Sequence, residues 1–102
     1  MIESTTTYQQ AADLAKSNQD LAVFFFDPEC HLCADFIPGA VDVLKTLIDH
    51  VHVINAKQSP FPPPNLPCAY FYRKDDSVPL VRVGVGPIEL VENDFRKFYG
   101  KI

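Results

Sequence analysis

The chain has 102 residues, 47% of them hydrophobic, and a formal net charge of -4 at pH 7. That size suits one core with little to spare, so residues 1–102 are expected to form a single domain. The acidic balance and scattered Lys and Arg argue against nucleic-acid binding, which rests on clustered cations, and no segment has the length of a membrane span.

In chain order, Met1-Ile2-Glu3-Ser4 lacks the basic start and apolar core of a signal peptide and reads as a short edge strand. Thr6 and Thr7 offer N-caps, with Gln9 and Gln10 at capping-box spacing. Tyr8, Ala11, Ala12 and Ala15 then recur at helical spacing, and Ser17-Asn18 closes that helix. Leu21 to Phe26 is apolar throughout and too short for a buried helix, which predicts a central strand covered on both faces. Asp27-Pro28 ends it.

The next helix has the clearest periodicity. Cys33, Phe36, Ile37, Ala40, Leu44, Leu47 and Ile48 form its apolar stripe, and Pro38 is expected to kink it near Ala34-Asp35. Val51 to Ala56 reads as a second strand. The run from Ser59 to Asn65 is too proline-rich for helix or sheet. Within it Phe61 is a candidate exposed contact residue, and Pro62-Pro63-Pro64 suits a rigid connector better than a polyproline II ligand. Cys68 to Tyr72 reads as a strand, Arg73 to Ser77 as a turn, and Leu80 to Val85 as a strand with Val81, Val83 and Val85 on one face. Leu90, Val91, Asp94, Phe95 and Phe98 mark a C-terminal helix. The alternation of strands and helices implies parallel crossovers, and the short Asp75-Asp76 turn an antiparallel hairpin. An α/β class follows: a mixed sheet with helices on both faces.

Cys30-His31-Leu32-Cys33 carries the chemistry. A strand delivers two cysteines to a helix start, where the helix amides and dipole favour the thiolate of the first. Two intervening residues place the sulfurs one turn apart, close enough to bridge. A closed zinc site needs four ligands, and the chain has neither a second C-x-x-C nor an H-x(3-5)-H. The dithiol therefore reads as redox rather than metal, and no cofactor is expected. Three cysteines, an odd number, do not suggest a secreted disulfide framework, so a reducing cytoplasm is the expected compartment.

This pattern resembles the thioredoxin superfamily over nearly the whole chain. The match is carried by the strand feeding C-x-x-C, by Pro38 five residues beyond Cys33, by Leu66-Pro67 opening a strand and hairpin, and by Val83-Gly84. The resemblance implies a three-layer fold around a mixed five-stranded sheet, or four strands without the N-terminal edge, with the proline-rich loop in place of the third helix. It implies that Cys30 attacks and Cys33 resolves. It further implies a cis-proline at Pro67 and a substrate groove formed by Leu66, Pro67, Cys68 and Gly84. Where the family usually carries W-C-G-P-C, this chain reads Glu29-Cys30-His31-Leu32-Cys33. Phe26 and Glu29 take the places of two tryptophans, and Phe24 takes that of a buried Asp six residues before Cys30.

Glu29, His31 and Leu32 are the candidate tuning residues beside the sulfurs. A protonated His31 would favour a thiolate at Cys30, whereas Asp27 and Glu29 oppose it. By the same resemblance Cys68 lies against the dithiol, as a third redox sulfur or as part of a soft-metal site with Cys30 and Cys33. A buried thiol packing as a small hydrophobe is the commoner state of a free cysteine. His50 and His52 have no ligand partner nearby in sequence. The expected function is thiol–disulfide exchange by a monomer with protein disulfides and a dithiol reductant; the alternative is a binding or adaptor module on the same scaffold.

Overall fold

A computed structural model describes residues 4, 7–16, 19–59, 65–74, 79–84 and 86–100. The elements run α1 (Tyr8–Ala15), β1 (Leu21–Phe26), α2 (His31–Lys45), β2 (His50–Asn55), a 3-10 turn (Ala56–Gln58), β3 (Cys68–Tyr72), β4 (Leu80–Val83) and α3 (Ile88–Tyr99). The sheet order is β2-β1-β3-β4. β1 pairs parallel to β2 and antiparallel to β3, and β3 pairs antiparallel to β4. The expected fold class holds: a mixed sheet, four-stranded among the described residues, between helical layers. The edge-strand reading of Met1 to Ser4 falls mostly outside the described residues. Ser4 is described, and its Oγ accepts the Asn55 N–H at 3.0 Å. Phe61, Pro62 to Pro64, Asp75 to Ser77 and Val85 also lie outside them.

Strand β1 is central because every residue in it is apolar, and all six are buried. Alternation sends Ala22, Phe24 and Phe26 toward α2 and α3, where they join Cys33, Ile37, Leu44, Val91 and Phe95. It sends Leu21, Val23 and Phe25 toward α1, where they meet Ala11. The α1 layer begins at a reciprocal cap: the Gln10 amide donates to Thr7 Oγ1 at 3.2 Å, and the Thr7 amide donates to Gln10 Oε1 at 2.9 Å. On the other face Phe71 gathers aromatic rings, with Phe24 at 5.8 Å and Phe95 at 4.9 Å between centroids. Tyr99 closes that layer by donating its hydroxyl to the Leu21 carbonyl at 2.8 Å. Burial holds its phenol far above the ordinary range in the neutral donor form.

Several expectations are corrected in detail. Helix α2 ends at Lys45, earlier than its apolar stripe, because Thr46 caps it and turns its hydroxyl back onto the Val43 carbonyl. Leu47 and Ile48 follow the helix, and Ile48 still reaches the core. The second strand stops at Asn55, whose side chain accepts the Lys57 amide and starts the 3-10 turn. That turn is the one helical piece among the described residues between β2 and Pro67. Leu90 lies in α3 as the pattern predicts, and its side chain is 60% exposed. The buried positions of α3 are Val91, Phe95 and Tyr99, spaced by four residues. The Val81 and Val83 face of β4 is likewise open to solvent. Among the described residues no helix is long and apolar enough to cross a membrane.

Candidate functional site: a dithiol at a helix start

Three strand ends meet at one end of the sheet. Register places Phe25 of β1 opposite Cys68 of β3, and Cys68 opposite Val83 of β4. The C-terminal end of β1 therefore lies beside the entry to β3 and the exit from β4. The chain leaves β1 through Asp27-Pro28-Glu29. This turn is held by the Asp27 carboxylate, which accepts the Glu29 amide at 2.8 Å, and by the Asp27 carbonyl, which accepts the Cys30 amide at 2.9 Å.

Cys30 is the N-cap of α2, and its Sγ accepts the Cys33 amide at 3.2 Å. A sulfur in the N-cap position takes the place of the usual capping oxygen. The same geometry directs an amide and the positive end of the helix at the first sulfur. Cys30 and Cys33 are bridged, with Cα atoms 5.3 Å apart. Cys30 is partly exposed, whereas Cys33 is fully buried, among Phe24, Phe36, Ile37 and Ala40. His31 and Leu32, on the first turn, point away from the core, and Leu32 is 57% exposed.

The described segment Asn65-Leu66-Pro67 enters β3 at the same sheet end. The Leu66–Pro67 peptide is cis. Pro67 is buried, and Leu66 packs against both apolar clusters. The Pro67 carbonyl accepts the Gly84 amide at 2.9 Å. Gly84 has φ 91°, a conformation that L side chains rarely adopt, and open space where a Cβ would sit. Beside the first turn of α2 a groove of about 220 Å³ is lined by Leu32, Asp35, Phe36, Gly86 and Ile88.

The structure separates Cys68 from the other two sulfurs. Its register neighbours are Phe25 and Val83, and Phe25 faces α1. Its side chain is thus on the face opposite Cys33, buried at 2% exposure. Burial pushes its thiol up from the ordinary value, partly offset by a hydrogen bond from the Ala69 backbone. The expectation that Cys68 lies against the dithiol is corrected accordingly. Strand alternation puts residue 68 with Tyr70 and Tyr72, not with Ala69 and Phe71. Among the described residues no cluster of three or more His, Cys, Asp or Glu forms a metal site.

One contributor escaped the sequence reading. Lys57 Nζ lies 3.7 Å from Asp27 Oδ1 and 3.9 Å from Glu29 Oε1, so an ammonium answers the two carboxylates preceding Cys30. The linear signal was slight: a lone lysine after the second strand, brought over by parallel pairing of β1 and β2. Gly86 and Ile88, across from Leu32, were missed for the same reason.

No family model matches the chain, and no curated protein matches it in sequence. Among solved structures, chloroplastic thioredoxin z is similar to it at a TM-score of 0.74 and 18% identity, covering 95% of this chain and 96% of that one. An end-to-end superposition at such low identity speaks for architecture, and the architecture is thioredoxin-like.

Proposed function

We propose that the chain is a thiol–disulfide oxidoreductase acting through Cys30 and Cys33. The observation that carries this reading is the asymmetry of the pair. Cys30 is partly exposed at a helix N-terminus with the Cys33 amide on its sulfur, while Cys33 is enclosed one turn behind. In the reduced protein the Cys30 thiolate attacks one sulfur of a substrate disulfide and expels the other as a thiolate. Cys33 then loses its proton and attacks the Cys30 sulfur, which releases the second substrate thiol. Two electrons pass to the substrate and the Cys30–Cys33 bond re-forms. A dithiol reductant closes the cycle by the reverse exchange, and no cofactor enters.

In this reading Leu66, Pro67 and Gly84 shape the backbone beside the sulfurs. Glu29 and His31 set the local field together with Asp27 and Lys57, and Leu32 offers an apolar contact. Cys68 contributes through its backbone position at the start of β3 and not through its thiol. The partners are protein disulfides, the protein acts as a monomer, and a reducing compartment such as the cytoplasm suits a pair of this kind.

The adaptor reading has one observation in its favour: Phe24, not a carboxylate, lies in the cluster around Cys33. The deciding experiment is equilibration of the protein in glutathione buffers of graded potential, with the Cys30–Cys33 state read by mass. A two-electron transition within the range of known oxidoreductases supports the enzyme, and Cys33→Ser should then accumulate mixed disulfides on Cys30. A pair that stays reduced, or oxidised, across the whole range assigns the chain to the adaptors.

A further inference from the structure

Strand β4 ends the described sheet, and its outer side is free of any described strand. The bond from the Gly84 amide to the Pro67 carbonyl reveals which backbone groups face that open side. In an antiparallel ladder, hydrogen-bonded and non-bonded pairs alternate. Gly84 opposite Pro67 extends the register of Val83 opposite Cys68 and Arg82 opposite Ala69. Gly84, Arg82 and Leu80 therefore turn their polar groups toward β3. Val81 and Val83 turn their N–H and C=O groups outward, off the edge.

The outward residues are also the apolar ones left in water. Val81 is 51% exposed and Val83 55%, and Leu80, the first residue of β4, is 48% exposed. Natural edges are commonly blunted by an outward charge, a bulge or a covering segment. The one charged side chain on β4 does not serve this way. Arg82 folds back onto α3, with its Nη1 3.0 Å from Asp94 Oδ2 and its Nη2 under Gly86. Along the same edge a cleft of about 460 Å³ opens between β4 and α3, with Leu80, Phe95 and Phe98 as its apolar wall.

Charge selects the occupant. Among the described residues the cleft is lined by Lys97 and the Arg82–Asp94 ion pair, and the Arg73 guanidinium lies 4.7 Å over the Phe98 ring at its end. This is a locally basic strip on a chain of net charge -4. A second copy of the same acidic chain is disfavoured there by its own charge, whereas an acidic guest is drawn in.

We propose that the β4 edge docks an extended acidic peptide segment of a partner protein, which adds to the sheet as a further strand. Its backbone pairs with the outward groups of Val81 and Val83, the mode by which edge strands capture peptides. Alternate residues of the guest are apolar, lying over the exposed valine face. The residues between them are Asp or Glu, directed to the side of Arg82 and Lys97. This goes beyond thiol–disulfide exchange and needs no redox step.

The test titrates uniformly 15N-labelled, oxidised protein with a blocked hexapeptide of alternating Glu and Val, and with its Lys-for-Glu counterpart. The expected result is movement of the Val81 and Val83 amides with the acidic peptide, weakened by salt, and affinity for the lysine peptide lower by about tenfold or more. Val81→Pro removes an outward N–H without breaking the β3 ladder, so binding should fall about tenfold while folding is retained. Lys97→Glu, an exposed helix position, should weaken the acidic peptide even if the proline variant does not fold. The proposal is overturned by no amide shifts at millimolar peptide, by equal binding of both peptides, or by binding that survives both variants. A dimer that fills the edge, seen by gel filtration and broken by Val81→Pro, overturns it in favour of a second copy.

Discussion

The Gly84 N–H donates to the Pro67 carbonyl at 2.9 Å, tying the end of β4 to the segment that enters β3 at the sheet end where β1 leads toward Cys30. Gly84 is needed there for its backbone and not for space, since its φ is 91° and no atom lies within 4 Å of an added Cβ. Gly84→Ala should destabilise the fold by about 1–3 kcal/mol through backbone strain alone. Gly39→Ala makes the contrasting case. Gly39 is inside α2, and an added Cβ would meet Ile88 Cδ1 at an ordinary 3.4 Å, so stability should rise by about 0.5–1 kcal/mol. Urea unfolding of the two variants measures both signs. A neutral Gly84→Ala would remove the conformational argument.

Limited alkylation of the reduced protein should label Cys30 first. Cys33 is fully buried, and Cys68 is buried on the opposite side of the sheet with its thiol held protonated. Cys68 should label only at the rate of unfolding, because a buried neutral thiol is a poor nucleophile. Mass spectrometry of time points resolves the order. Labelling of Cys68 before Cys33 in the folded protein would mean that the α1 layer opens locally.

Phe24 is expected to slow the resolving step. Its ring is 1% exposed and shares an apolar cluster with Cys33, a surround that disfavours the thiolate needed for attack. Disulfide reduction should therefore be slow at neutral pH and faster at alkaline pH. Phe24→Asp should raise the neutral-pH rate, at a cost on the order of several kcal/mol for the buried carboxylate. Asp27, paired with Lys57, and His31 are the alternative proton carriers, and Asp27→Asn separates them from the effect of Phe24. A wild-type rate that does not change from neutral to alkaline pH sinks the idea without any mutation.

His52 should make the fold acid-sensitive. Burial, and then the neighbouring His50 ring stacked at 6.4 Å, lowers its pKa below the ordinary 6.5. The unfolded chain then binds a proton near pH 6.5 that the folded chain refuses until lower pH. Stability is thus full above 6.5 and falls as pH drops from there toward the folded-state value. Melting temperatures recorded between pH 7.5 and 5 should decline with a slope that His52→Gln reduces. An unchanged slope in that variant would assign the acid sensitivity to other groups.

Local pattern decided most of the architecture. The wholly apolar Leu21 to Phe26 had to be a strand covered twice, and the spacing of Cys33, Phe36, Ile37, Ala40 and Leu44 had to be one face of a helix. Cys33 on that face was already the buried sulfur, and Cys30 one turn earlier was the cap. These readings held because periodicities of two and 3.6 residues are properties of the backbone itself. Where an element stopped was less legible. Thr46 ended α2 with a hydroxyl bond, and Asn55 ended β2 with an Asx-type bond, although the apolar pattern ran on past both.

What the linear chain could not decide is which groups from distant segments share a space. Lys57 reaches Asp27 and Glu29 because β2 lies parallel to β1. Cys68 faces away from the dithiol because its register with Phe25 sets its face, and a shift of one residue would have turned it around. The outward Val81 and Val83 likewise follow from a single hydrogen bond of Gly84. Residue type and spacing determined the elements, the dithiol and its polarity. Register and strand order, set only when the sheet assembles, decided its neighbours, its electrostatics and the open edge.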